Sequence, residues 1–165
     1  MTAPPARPLG HGPTACYASG MDPLHVLVVE DEPTNQEVAA LILRSGGHRV
    51  TTCSSGQEAL ALLAGDAAVD VILMDLLMPE LDGLTVTRAL KADPRLAAIP
   101  VLIVSARASA SDRALGLAAG AEGYLTKPFR RSELLAALAG VMGHSREAGA
   151  LPADRPGKAQ QPGGK

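Results

Sequence analysis

The stretch VDVILMDLLMPELDGL, residues 69–84, decides the fold. Val69–Met74 is apolar on both faces apart from Asp70, so the spacing predicts a strand covered from two sides. Such strands belong to the middle of parallel sheets, where helices pack above and below. An acid, Asp75, stands where the apolar run stops. Met78-Pro79 and Asp82-Gly83 then shape a loop, and Gly83–Lys91 has helical periodicity before Asp93-Pro94 ends it.

The same alternation runs outward in both directions. Upstream, His25–Val29 is a short β-branched run. Pro33 suits the first turn of a helix, and Val38, Leu41, Ile42 and Ser45 recur at helical spacing until Gly46-Gly47 stops them. Arg49–Cys53 reads as a second strand, and Ser55-Gly56-Gln57-Glu58 as a capping box opening a helix through Leu63. Downstream come a strand at Pro100–Val104, a helix at Ser111–Ala119 closed by Gly120, and a short strand at Glu122–Leu125. A last helix, Arg131–Met142, turns Leu134, Leu135, Leu138 and Val141 inward. Five β-then-α units with near-continuous apolar strands predict a doubly wound, five-stranded parallel α/β sheet with helices on both faces.

In such sheets sites form beyond the carboxyl ends of the strands. The first strand is followed by Glu30, Asp31 and Glu32, the third by Asp75, the fourth by Ser105, and the fifth by Thr126, Lys127 and Pro128. Carboxylates a few Å apart raise each other's pKa unless a cation joins them. Hard oxygen donors without His or Cys suit Mg²⁺, which takes one or two carboxylates, waters and a phosphate oxygen. A carboxylate can also serve as nucleophile and form an acyl phosphate. Its equatorial oxygens then need cations and donors, which the metal, Lys127 and Ser105 would supply. Each residue alone has a plainer reading: Glu32 as a helix cap, Asp75 as a turn acid, Lys127 as a solvated lysine. Their convergence at four strand ends favours the joint reading.

Composition narrows the classes. Of 165 residues, 47% are hydrophobic and only 2% aromatic, so the core must be aliphatic. The net charge of −2 gives no nucleic-acid-type basic excess. Cys16 and Cys53 make neither a disulfide framework nor a metal knuckle and read as free thiols. His11, His25, His48 and His144 show no metal spacing. No apolar run is long enough to span a membrane, and the first residues lack the apolar core of a secretory signal, so a cytoplasmic location is expected. Residues 1–23 hold five of the 13 prolines and read as a disordered tail, with Met21 an alternative start. Residues 24–142 form the folded domain. Residues 143–165, rich in Gly, Pro and Gln, read as a second disordered tail.

HVLVVEDEPTNQ, VILMDLLMPELDGL, IPVLIVSA and GAEGYLTKPF together resemble the response-regulator receiver domain of two-component signalling, over about residues 24–142. The resemblance implies the strand order 2-1-3-4-5. It implies Asp75 as phospho-acceptor, with Glu30, Asp31, Asp75 and the Leu77 backbone carbonyl as Mg²⁺ ligands. Ser105 and Lys127 would coordinate phosphate, Ser105 and Tyr124 would form the switch pair, and the Lys127–Pro128 bond would be cis. Leu77 and Arg107 depart from the commoner residue types at two positions that flank the path of the hydrolytic water. The implied partners are a histidine kinase or a histidine phosphotransfer protein as donor. A downstream protein would read the surface of the fourth helix, fifth strand and fifth helix. The 23 residues after Met142 hold no helix-turn-helix pattern, so a stand-alone switch of the chemotaxis-regulator type, without direct DNA binding, is the expectation. The alternative is a receiver-fold binding module that works without phosphorylation. Leu77, two after Asp75, argues against a haloacid-dehalogenase-type hydrolase, which needs a second Asp there. The acids after the first strand argue against a flavodoxin phosphate loop, and no P-loop is present.

Overall fold

The computed structural model describes residues 22–65 and 67–149. Expectations that fall on residues 1–21 and 150–165, including Cys16, His11 and Met21, lie outside the described residues. The elements are β1 (His25–Val29), α1 (Pro33–Ser45), β2 (Arg49–Cys53), α2 (Gly56–Ala64), β3 (Val71–Asp75), α3 (Gly83–Ala92), β4 (Val101–Ser105), α4 (Ala110–Ala118), β5 (Gly123–Thr126) and α5 (Arg131–Gly149). The sheet is parallel throughout, in the order β2-β1-β3-β4-β5.

Alternate strand residues feed two cores. Leu27, Val29, Ile72, Met74 and Ile103 pack with Ala59 and Leu63 of α2 and Val86 and Leu90 of α3. Val26, Val28, Leu73, Leu102 and Val104 pack on the other face with Ala39 and Leu43 of α1 and Leu134, Leu138 and Val141 of α5. This two-sided burial is why β1, β3 and β4 read as continuous apolar runs.

Three strands run one residue further than the apolar pattern predicts. Asp75 still pairs with Val104, and Ser105 with Thr126, because ladder hydrogen bonds continue after side chains turn polar. The polar residues are therefore fixed by the sheet and do not ride on loops.

Caps set the helix starts. Glu32, Ser55, Asp82 and Ser109 accept from Thr34, Glu58, Thr85 and Asp112 backbone N–H groups respectively. In α2 the Glu58 carboxylate returns to the Ser54 N–H at 2.8 Å, one residue before the cap, which shifts the expected capping box.

The structure fixes the face of one helix and corrects the end of another. Val38 and Leu41 of α1 are exposed, at 46% and 56%, while Ala39, Ala40 and Leu43 are buried. Two adjacent alanines let α1 lie close to the sheet, which turns the bulkier pair to solvent. α5 does not stop at Met142 but continues to Gly149, so residues 143–149 are helical and not a disordered tail. His144–Ala148 contains no proline, and Gly143 alone does not end a helix that already packs through its first turns.

Candidate functional site

Glu30 lies just past β1, its N–H donating to the Cys53 carbonyl at 3.1 Å. Asp75 closes β3. Both carboxylates are only 6% exposed. Together with Asp31, each offers an oxygen within 4.8 Å of the others. Lys127, just past β5, reaches back over the same edge. Its Nζ lies 2.5 Å from Glu30 Oε2 and 3.6 Å from Asp75 Oδ2. Burial raises the Glu30 carboxyl above its ordinary pKa; the Lys127 contact opposes this and the Asp75 charge adds to it.

Local geometry holds these groups in place. Leu77 N–H donates to Asp75 Oδ1 at 3.3 Å, and Glu32 N–H to Glu30 Oε1 at 3.2 Å. Gly83 passes so close that a Cβ there would sit 2.1 Å from the Asp75 carbonyl oxygen. Only glycine fits that crossing without moving the end of β3. Lys127 N–H donates to the Ser105 carbonyl at 2.8 Å, and the Lys127–Pro128 peptide is cis.

Ser105 is fully buried on β4, and its Oγ accepts from the Arg107 N–H at 3.1 Å. Tyr124 does not face the acids. Its hydroxyl donates to the Arg107 carbonyl at 2.7 Å, and the Arg113 guanidinium lies 5.2 Å from its ring centroid. Arg113 also donates to Thr126 Oγ1 at 2.9 Å. The Leu77 side chain is 50% exposed. With Arg107 and Leu115 it lines a groove of about 260 Å³ next to the acid edge.

A cavity of about 290 Å³ adjoins the acids on the other side, with Glu30, Asp75 and Lys127 at its polar end. Val28, Ala39, Leu73, Val104 and Phe129 wall the remainder. Glu30, Asp31, Asp75 and Lys127 thus meet, Ser105 stands on the neighbouring strand end, and Tyr124 points to the loop after β4.

Two residues escaped the sequence reading. Gln36, to which the sequence assigns no role, donates from Nε2 to the carbonyls of Glu30 and Cys53, both at 3.1 Å. Arg113 braces Tyr124 from α4. Neither has a local sequence signal, since their partners lie on other elements.

Three carboxylates against one ammonium leave negative charge in excess at a half-buried edge. The donors are all oxygen, with no His or Cys among the grouped residues, so the set fits a hard divalent cation such as Mg²⁺.

The response regulator receiver domain family matches residues 26–139. The chain is 40% identical over 120 residues to the response regulator MprA of Mycolicibacterium vanbaalenii, covering 73% of this chain and 51% of that protein. It is 36% identical over 137 residues to the transcriptional regulatory protein TrcR of Mycobacterium tuberculosis, covering 83% and 52%. The chain therefore spans about half the length of the curated relatives it matches. Among solved structures, the chemotaxis response regulator CheY4 of Vibrio cholerae superposes with a TM-score of 0.68 at 32% identity, covering 73% of this chain and 99% of that one. The receiver domain of the sensor histidine kinase PA1611 from Pseudomonas aeruginosa, solved with magnesium in its active-site cleft, superposes with a TM-score of 0.67 at 38% identity, covering 74% and 99%. By sequence and by fold, the chain belongs to the response regulator receiver domain family of two-component signalling.

Proposed function

We propose that the chain is a phospho-acceptor switch in which an Asp75 carboxylate oxygen attacks phosphorus and forms an acyl phosphate. The observation that carries this reading is the buried Asp75 carboxylate, with Glu30, Asp31 and the Lys127 ammonium gathered around it. The phosphorus–nitrogen bond of a phosphohistidine on a kinase or phosphotransfer protein breaks, and the imidazole leaves. Mg²⁺ held by Glu30, Asp31, Asp75 and the Leu77 carbonyl would neutralise charge on the transferred group. Lys127 exchanges part of its pairing with Glu30 for a phosphoryl oxygen. The Ser105 hydroxyl gives up the Arg107 N–H and donates to another.

That movement vacates space beside β4, and Tyr124 leaves the Arg107 carbonyl to fill it. The surface of α4, β5 and α5 changes with it, and a partner that prefers the new surface also favours phosphorylation. Leu115 and Leu117, 46% and 54% exposed on α4, support a protein-reading surface there. Residues 24–142 are the switching unit. It acts in the cytoplasm through protein partners without contacting DNA itself, and its only chemistry is its own phosphorylation and dephosphorylation. Among the described residues no helix is long and apolar enough to cross a membrane. Leu77 and Arg107 flank the water path and set the lifetime of the acyl phosphate.

Incubation with Mg²⁺ and acetyl phosphate, read on a phosphate-affinity gel, tests this. A retarded band in the parent and none in Asp75→Ala is the expected result. A folded parent with no band, with acetyl phosphate or with phosphorylated histidine donors, would instead support the phosphorylation-independent binding module.

A further inference from the structure

We propose that Gln36 is a positioning residue for the acidic site, acting through the backbone of the loop that carries Glu30 and Asp31. The inference rests on the reading of that site given above.

The Gln36 amide sits on the first turn of α1 and is half-buried. Both of its donor contacts are used, one on the Glu30 carbonyl and one on the Cys53 carbonyl, each at 3.1 Å. Only the nitrogen end of the amide can face two carbonyls, so its orientation is fixed by chemistry. Cys53 is the last residue of β2, and its carbonyl also accepts the Glu30 N–H at 3.1 Å. Gln36 N–H in turn donates to the Glu32 carbonyl at 3.0 Å. One residue therefore grips the acidic loop at both ends. Its backbone holds Glu32, and its side chain holds Glu30 against the neighbouring strand. Asp31 lies between the two.

Metal sites depend on such outer contacts as well as on their ligands, because a carboxylate whose backbone drifts loses its geometry. The Gln36 amide donates to backbone carbonyls and not to an acid side chain, so it acts by position. Substituting a side chain of similar length without donors leaves the Glu30 carbonyl unpaired and frees the loop.

The distinguishing pair is Gln36→Met and Gln36→Glu. Methionine removes the donors without adding charge. Glutamate keeps the shape, removes the donors and adds a negative charge close to the acids. A simple field effect would make the Glu variant bind Mg²⁺ more tightly. Positioning makes both variants bind it more weakly, because a carboxylate cannot donate to two carbonyls. Mg²⁺ titration of the full chain, followed by amide chemical shifts of Asp31 and Leu77, reads this directly. The metal-free thermal midpoint is measured alongside. The expected result is a dissociation constant about tenfold higher in both variants, with the spectrum elsewhere like the parent's.

Equal affinity in the parent and both variants overturns the positioning role alone. Tighter binding by the Glu variant also overturns it, in favour of a field effect. If one variant unfolds, the other decides; loss of folding in both makes Gln36 a fold determinant and overturns the role. A parent that binds no Mg²⁺ overturns this role and the reading beneath it together.

Discussion

His48 is buried beneath the start of β1, and its Nδ1 accepts the Leu24 N–H at 3.1 Å. A protonated Nδ1 cannot accept, so the folded state holds this imidazole neutral. Burial lowers its pKa below the ordinary 6.5. Between that lowered value and 6.5 the unfolded chain binds the extra proton and the folded chain does not, so stability rises with pH there. The contribution is complete above 6.5 and is lost as pH falls below it. Thermal midpoints measured from pH 8 to pH 5 should fall on the acid side, and His48→Asn, whose amide oxygen can still accept from Leu24, should flatten that part of the curve. An unchanged slope would assign it to other groups. At this scale the sequence is legible where a residue breaks its own pattern. Asp75 ends an apolar run, and Glu30 follows one. Gln36 breaks no pattern, because the Cys53 carbonyl it holds belongs to another element, 17 residues away.

The three inner strands, β1, β3 and β4, are readable as elements because burial on two faces leaves one signal, a short apolar run. The helices were readable by existence and less so by face. On α1, Val38 and Leu41 form the apolar stripe that periodicity favours, yet Ala39, Ala40 and Leu43 make the contact. Small side chains carry little hydropathy but permit close approach, which a hydropathy pattern cannot register. The observed face predicts a contrast in urea unfolding. Leu43→Ala should cost about 2–5 kcal/mol, as large-to-small changes in packed cores do. Leu41→Ala should stay within about 0.5 kcal/mol. Similar losses at both positions would contradict this face. The end of α5 was misplaced for a related reason: glycines near Met142 weaken a helix without ending it.

Contacts between distant elements hold the whole molecule together, and one polar junction does so away from the acid edge. Lys91 at the end of α3 donates to the Ala97 and Ile99 carbonyls at 3.1 and 2.8 Å and pairs with Glu122 at 2.7 Å. The other Glu122 oxygen accepts the Val101 N–H at 2.7 Å. This ties α3, the start of β4 and the approach to β5 into one unit. Lys91→Met should cost about 1–3 kcal/mol by chemical unfolding, because it strands a half-buried carboxylate and two carbonyls. A neutral effect would show that water replaces the ammonium.

The parallel order brings the ends of β1, β3, β4 and β5 to one edge, and the acids, the hydroxyl and the lysine converge there because each ends or follows its strand. That convergence makes Asp75 the residue on which the proposed switch turns. Reductive trapping of the acyl phosphate with borohydride after incubation with Mg²⁺ and a phosphodonor, followed by peptide mapping, locates the modified residue directly. A single reduced side chain, at position 75, is the expected result. Trapping at another acid, with Asp75 intact, would contradict it.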